Sequence, residues 1–295
     1  MSKTNIHHIP VMLKQVIGCL KPARGESYLD VTAGMGGHGA AVIAATAAPQ
    51  KATLVDRDPQ VAQVLGDKFP AAQVLNQDFL SASRKLLNDG KKFDMILADL
   101  GASSLHFEDA DRGFSFRKSG PLDMRMDTHQ ELTAWQIVNN WSQKDLATIF
   151  RKYGEEPRAD LVAKAIVSAR PINDTLQLAA IISRAVPKRG KIHPATKLFQ
   201  AIRIAVNDEL GQLEQSLPIW LKLLKNNGRL AVISFHSLED RIAKQFFAEH
   251  AKSSFDAELK LLTKKPITAR HEEIVSNPRA RSAKLRAAAK IKTKK

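Results

Sequence analysis

Through the first hundred residues, short apolar runs alternate with stretches of helical period. SYLDV (27–31), ATLVD (52–56), AQVL (within 71–75) and FDMILAD (93–99) have the length and branched content of strands. Between them, AAVIAATA, PQVAQVLGDKF and SRKLLNDG space their apolar residues as helices do. Such alternation predicts βαβ units and a parallel sheet. The next run of strand character, GRLAVISF (228–235), lies far downstream.

The interval from Leu100 to Asn227 is much longer than a crossover requires. VNDELGQLEQSLPIWLKLLK (206–225) has the period of a crossover helix into GRLAVISF. What remains reads as an insert of helices: LTAWQIVNNWS, KDLATIFRKYG, RADLVAKAIVSAR, TLQLAAIISRAV and ATKLFQAIRIAV, punctuated by Pro157, Pro171, Pro187 and Pro194. The expected organisation is a discontinuous sheet domain, 1–106 and 206–295, around a helical domain, 107–205. After the fifth strand, LEDRIAKQFFAEH predicts a helix, and ELKLLTKKPI and KLRAAAKI predict two closing strands.

Charge adds a polyanionic partner to this picture. The 295 residues carry a net +15, of which +9 lies from Lys264 onward, where eleven Lys and Arg face Glu272 and Glu273. Residues 1–100 carry about +2, from eleven basic and nine acidic side chains, which suits a small-molecule site beside a basic periphery. RARSAKLRAAAKIKTKK reads either as a phosphate-contacting tail or as a solvated end. No run of apolar residues is long enough for a membrane span, so a cytoplasmic protein is expected. The single Cys19, in VIGCL, predicts a packed hydrophobe. His7 and His8, shortly before Pro10, and His193, before Pro194, have no Cys or His partners at ligand spacing, so no metal site is expected.

DVTAGMGGHG (30–39) carries the chemistry. Gly34, Gly36 and Gly39 have the G-x-G-x-x-G spacing of a dinucleotide loop, and Asp56 stands where an acid would bind the ribose of a dinucleotide. Asp30 inside the turn would repel a pyrophosphate and attract a cation. With Asp56, Asp78 and Asp99 it places carboxylates after four neighbouring strands. That rim suits S-adenosylmethionine, which has a sulfonium, an ammonium, a ribose diol and an adenine but no phosphate. Helix capping by each acid is the plainer alternative.

DVTAGMGGHG, DRDP, DMILADLGASS, RGFSF, GPLDMRMD, YGEE, HPATKLFQAIRIAVNDEL, GRLAVISFHSLEDR and NPRARSAKLR, in this order, closely resemble the bacterial small-subunit ribosomal RNA cytosine-N4 methyltransferases of the RsmH (MraW) type. The resemblance implies a Rossmann-like class I S-adenosylmethionine-dependent methyltransferase sheet with an inserted all-helical domain. It also implies methyl transfer to the N4 amino group of a cytidine in the 16S rRNA decoding region of the small ribosomal subunit. Carried over by position, Gly36, Gly37, His38, Asp56, Phe79, Asp99 and His106 would bind the cofactor, with Phe79 against the adenine and Asp56 on the ribose hydroxyls. The family has Gln where this chain has His106, Val at Ala102 and Arg-Thr at Lys197-Leu198.

For an amino methyltransferase the acceptor for the amino hydrogens at the end of the fourth strand is Asp99 or a backbone carbonyl of LGASS, with Asp99 the expected catalytic residue. Arg125, between Asp123 and Asp127, reads as an RNA contact or a structural ion pair. His236, after the fifth strand, reads as a contact to the flipped base or as a helix cap. Two competing classes remain: a nicotinamide oxidoreductase, and a non-catalytic ribosome-binding factor that keeps the fold.

Overall fold

The computed structural model describes residues 10–186, 193–252 and 257–291. His7, His8, Pro187 and the last four residues of the basic tail lie outside them. Within the described residues the chain forms two units, residues 1–101 with 210–295, and 102–209.

The first unit is a sheet of eight strands: β1 (Tyr28–Asp30), β2 (Ala52–Asp56), β3 (Gln73–Asn76), β4 (Phe93–Asp99), β5 (Leu224–Ser234), β6 (Leu259–Leu261), β7 (Ile267–Thr268) and β8 (Lys284–Lys290). Its order is β3-β2-β1-β4-β5-β8-β6, with β7 also paired to β8. β1 to β5 run parallel, and β8 enters antiparallel between β5 and β6. This is the class I methyltransferase arrangement expected from the sequence.

Both faces of the parallel strands are apolar, and alternate residues divide between them. Leu29, Val55, Ile96, Ala98, Leu230 and Val232 pack on one side with Leu213, Leu217 and Trp220 of the helix Glu209–Leu223 and Phe247 of the helix Ser237–His250. Tyr28, Leu54, Met95, Leu97, Ala231 and Ile233 pack on the other with Val16 and Leu20 of the helix Leu13–Leu20, Val42 of the helix Gly37–Thr46, and Leu65 of the helix Pro59–Lys68. The result is three layers, with every parallel strand directing its carboxyl end to one rim. β3 begins later than its apolar letters suggest because it is an edge strand with no fully buried residue.

The C-terminal segment bears out KLRAAAKI as a closing strand, and over residues 284–290 it corrects both the phosphate-contacting and the solvated reading. Residues 284–290 form an internal strand, matched to β5 over six residues from Arg229↔Ala289 to Ser234↔Lys284. Leu285, Ala287 and Ala288 are buried. Arg286 forks onto Asp240, Nε to Oδ1 at 2.7 Å and Nη2 to Oδ2 at 3.3 Å. The Lys290 ammonium donates to the carbonyls of Leu221 and Leu224 at 2.8 and 3.0 Å, and burial pulls its pKa down. These cations are therefore engaged inside the fold, where phosphate does not reach.

The N-terminal helix Leu13–Leu20, which the sequence pattern does not single out, has its last turn held by Arg229, whose guanidinium donates to the carbonyls of Leu20 and Lys21 and pairs with Glu26. Cys19 on this helix is partly buried, and burial pushes its thiol up, which suits a packing residue.

The second unit is helical: Ser104–Glu108, Ala134–Asn140, Gln143–Lys152, Ala159–Ser168, Thr175–Ala185 and Ala195–Asn207 enclose their own core around Ile137, Phe150, Ile166, Ile182 and Ile202. The boundaries fall at Gly101/Ala102 and Glu209/Leu210, against 106/107 and 205/206 from the sequence. Among the described residues no helix is long and apolar enough to cross a membrane.

Candidate active site

The rim of the first unit gathers the residues that the sequence singled out there. β1 ends at Asp30 and turns through Val31–Gly36 into the helix Gly37–Thr46. Gly34 and Gly36 have φ of +51° and +71°, so the turn requires residues free to adopt left-handed backbone. At Gly36 an added Cβ would lie 2.5 Å from Phe69 Cε2, which excludes larger side chains on packing as well. The Gly34 amide donates to Asp56 Oδ2 at 2.9 Å, and the Asp58 amide to Asp56 Oδ1 at 2.9 Å. Asp56 thus ties the glycine turn to the end of β2.

Asp30 is buried, with Tyr28 Oη donating to Oδ2 at 2.8 Å and the Thr32 amide to Oδ1 at 3.3 Å. Burial raises its pKa to about 7; the two hydrogen bonds oppose the rise and the Asp56 charge adds to it. A folded-state pKa above the unfolded value means the native chain holds a proton that the unfolded chain has released. Stability of the protein without cofactor should therefore fall as pH rises from about 4 to about 7, and Asp30→Asn should remove this part of the slope. Denaturant melts of both proteins across that range check it, and parallel slopes would count against it. The difference expected at pH 8 is about 4 kcal/mol at most, from 1.36 kcal/mol per unit.

Asp99 closes β4. Its amide donates to Thr32 Oγ1 at 2.6 Å, and its Oδ2 lies 3.6 Å from His38 Nδ1. Its Oδ1 is buried and has no hydrogen-bond partner. Burial, then the charges of Asp30 and Glu239, push the Asp99 carboxyl well above the usual range. Phe79 opens the helix Phe79–Asn88, its ring 5.8 Å from that of Trp220, whose indole donates to Ser83 Oγ. Asp78 is the N-cap of that helix, its Oδ1 accepting from the Leu80 and Ser81 amides, so the plainer reading holds for this acid. Thr32, Tyr28 and Glu239 are site residues that the sequence reading did not identify. DVTAG and SLEDR contain two of them, but nothing in their spacing says what they bond.

His106 belongs to the second unit, stacked on Phe114 at 4.8 Å with Nδ1 accepting from the Ser103 amide at 3.2 Å.

Arg125 and His236, the two expected substrate contacts, both have partners within the protein. Arg125 places Nε and Nη2 on the two Asp123 oxygens at 2.9 and 2.8 Å and Nη1 on the carbonyls of Thr128 and Gln130. The whole fork is committed to holding its own loop, so Arg125 is a structural clamp. His236 is the N-cap of the helix Ser237–His250: its Nδ1 accepts from the Glu239 amide, while Glu239 Oε2 accepts from the amides of Phe235 and His236. That reciprocal box explains the ring's orientation without a base.

These residues fit a cationic nucleoside ligand. The rim offers carboxylates and one buried unpartnered acceptor, and Asp30 inside the turn disfavours a pyrophosphate.

Comparison with known proteins agrees. Proteins named ribosomal RNA small subunit methyltransferase H match along nearly their full length: that of Acidobacterium capsulatum is 46% identical over 96% of this chain and 98% of its own, that of Synechocystis sp. 45% over 97% and 94%, and that of Cyanothece sp. 48% over 96% and 95%. The model of the MraW methylase family matches residues 5–291, so the chain, with the sheet, the glycine turn and the acidic rim described above, belongs to that family.

Proposed function

We propose that this protein transfers a methyl group from S-adenosylmethionine to the N4 amino group of a cytidine in 16S rRNA, in the decoding region of the small ribosomal subunit, and acts in the cytoplasm. The observation that carries the chemistry is Asp99 Oδ1, a buried carboxylate oxygen without a partner at the end of β4. The rRNA assignment rests on the relatives' names, and the cytosine N4 atom on the motif resemblance.

The cofactor, when bound, supplies an electrophilic methyl group on a sulfonium. Gly36, Gly37 and His38 would let backbone approach it, Asp56 would accept from its ribose hydroxyls, and Phe79 would lie against its adenine. The cytosine amino nitrogen is a weak nucleophile because its lone pair is delocalised into the ring. Asp99 Oδ1 accepts an amino hydrogen, localises that pair, and takes the proton the nitrogen sheds as it gains the methyl group. Thr32 fixes the Asp99 backbone from the neighbouring strand end. We assign the helical unit to RNA engagement, supported by Trp135, 41% exposed and able to stack on an unpaired base.

Nucleoside analysis by mass spectrometry of 16S rRNA from cells with and without this protein tests the reading. N4-methylated cytidine should disappear on its removal and return on complementation. An unchanged signal would overturn the assignment.

A further inference from the structure

Lys284, Arg286 and Lys290 are engaged inside the fold, on Asp240 and on the carbonyls of Leu221 and Leu224. The segment just before them, residues 269–283, turns its charge outward. Arg270 and Arg281 are exposed, and among the described residues neither guanidinium has an ion-pair or hydrogen-bond partner.

Strand register places this loop on the rim that holds Asp99. Asp99 of β4 stands opposite Ile233 of β5, Ile233 opposite Leu285 of β8, and Leu285 opposite Ile267 of β7. One row of the sheet therefore runs from Asp99 to Ile267 in three strand spacings, about 14 Å. β8 is antiparallel to both β5 and β7, so β7 points the same way as β5, and its end at Thr268 leads the chain out over the carboxyl rim. The short helix His271–Ser276 and the turn Pro278–Ser282 follow, and Lys284 starts the return strand.

The loop is anchored at several points. Ala280 and Ala283 are buried in one core layer with Ile233 and Leu285. Glu273 accepts from the Met12 amide and from Gln15 Nε2, which fastens the loop to the start of the N-terminal helix. The carbonyl of Val11, one residue earlier, lies 2.9 Å from His38 Nε2, so the loop and the helix after the glycine turn share one support. Of the loop's two acids Glu273 is thus engaged, and Glu272 remains in solvent.

We propose that loop 269–283 seats the RNA backbone beside the site, with Arg270 and Arg281 as phosphate ligands. The inference rests on the reading of this protein as one that acts on rRNA, and it names the contacts that place the strand. A base extruded towards Asp99 leaves its flanking phosphates at the mouth of a pocket whose own charges, Asp30, Asp56 and Asp99, repel them. Cations on a fixed ledge along the same rim offset that repulsion. The guanidinium fork also matches two phosphate oxygens at once, and an anchored loop loses little freedom on binding.

Polyuridylate binding to the full-length protein, followed by fluorescence anisotropy over a salt series, tests the loop. In Arg270→Gln/Arg281→Gln the slope of log affinity against log salt should become shallower by about 1.4, from two contacts at about 0.7 each on a single strand. Arg24→Gln/Lys91→Gln removes the same charge from the turns before β1 and β4, at the opposite end of the strands, and should leave the slope in place. Arg270→Lys/Arg281→Lys keeps both charges and should keep the wild-type slope; a shallower slope there would trace the effect to the loop's fold and count against the proposal. An unchanged slope in the Arg270/Arg281 glutamine pair, or an equal loss in the Arg24/Lys91 pair, would overturn it. An unchanged slope with weaker binding to whole small subunits would give the loop to a ribosomal protein instead. The salt slope reports on the surface and nucleoside analysis on the reaction, so either reading can fail alone.

Discussion

Deleting residues 284–295 should leave a chain that no longer folds, far beyond the weakened RNA binding expected of a lost basic tail. The deletion removes the whole of β8 and opens β5 along six paired residues in the middle of the sheet. It strips β6 and β7 of β8, the strand with which each pairs. Asp240, a largely buried carboxylate held by Arg286 and Lys284, would lose both partners. Breaking one buried ion pair from one side costs about 3 to 5 kcal/mol. Removing Leu285 from the core costs about 1.5 to 3 kcal/mol more. Against a total stability of about 5 to 15 kcal/mol, these losses and the unpaired backbone suffice to unfold the sheet unit. Circular dichroism and thermal melts of the soluble fraction read the outcome. A cooperative melt near that of the full chain, with RNA affinity reduced, would restore the tail reading.

Asp99→Asn should divide stability from activity. The substitution keeps the shape of the side chain and removes its charge from a buried site crowded by Asp30 and Glu239. The melting temperature should therefore hold or rise. The amide cannot take a proton from the reacting nitrogen, so single-turnover methylation of small subunits should slow by about 10² to 10⁴, the usual worth of a positioned general base. Cofactor affinity, measured separately by calorimetry, should fall much less than the rate. Equal losses in both would make Asp99 a cofactor ligand alone, and an unchanged rate would remove it from the chemistry.

The degree to which the sequence was legible depended on how local the determining physics is. ATLVD and FDMILAD coincide with β2 and β4 because a buried parallel strand must be apolar on both faces, and those letters are contiguous. AQVL marks β3 less well, since an edge strand half open to solvent has little pattern to keep. KLRAAAKI predicts the closing strand, yet the same letters read as a basic tail. Composition counts charges and cannot see that Arg286 lies on Asp240 or that Lys290 lies on the carbonyls of Leu221 and Leu224. Arg125 was ambiguous for the same reason: Asp123 and Asp127 are visible in the chain, but the carbonyls of Thr128 and Gln130 that complete its fork are set by the loop's path.

The candidate site shows the same division. By itself the sequence determined the rim: acids at successive strand ends, a glycine turn ahead of the first crossover helix, and motifs dense enough to name a family. Each of these follows from short-range patterning, in which a strand end, a turn residue and the next helix are consecutive letters. Tertiary structure alone decided how those groups divide their tasks. It gave Asp78 and His236 to helix caps, tied Asp56 to the glycine turn, and left Asp99 with one oxygen facing His38 and the other without a partner. Those assignments depend on where Val11, Thr32 and Glu239 arrive in space, and such distances between residues far apart in the chain appear only once the sheet has closed.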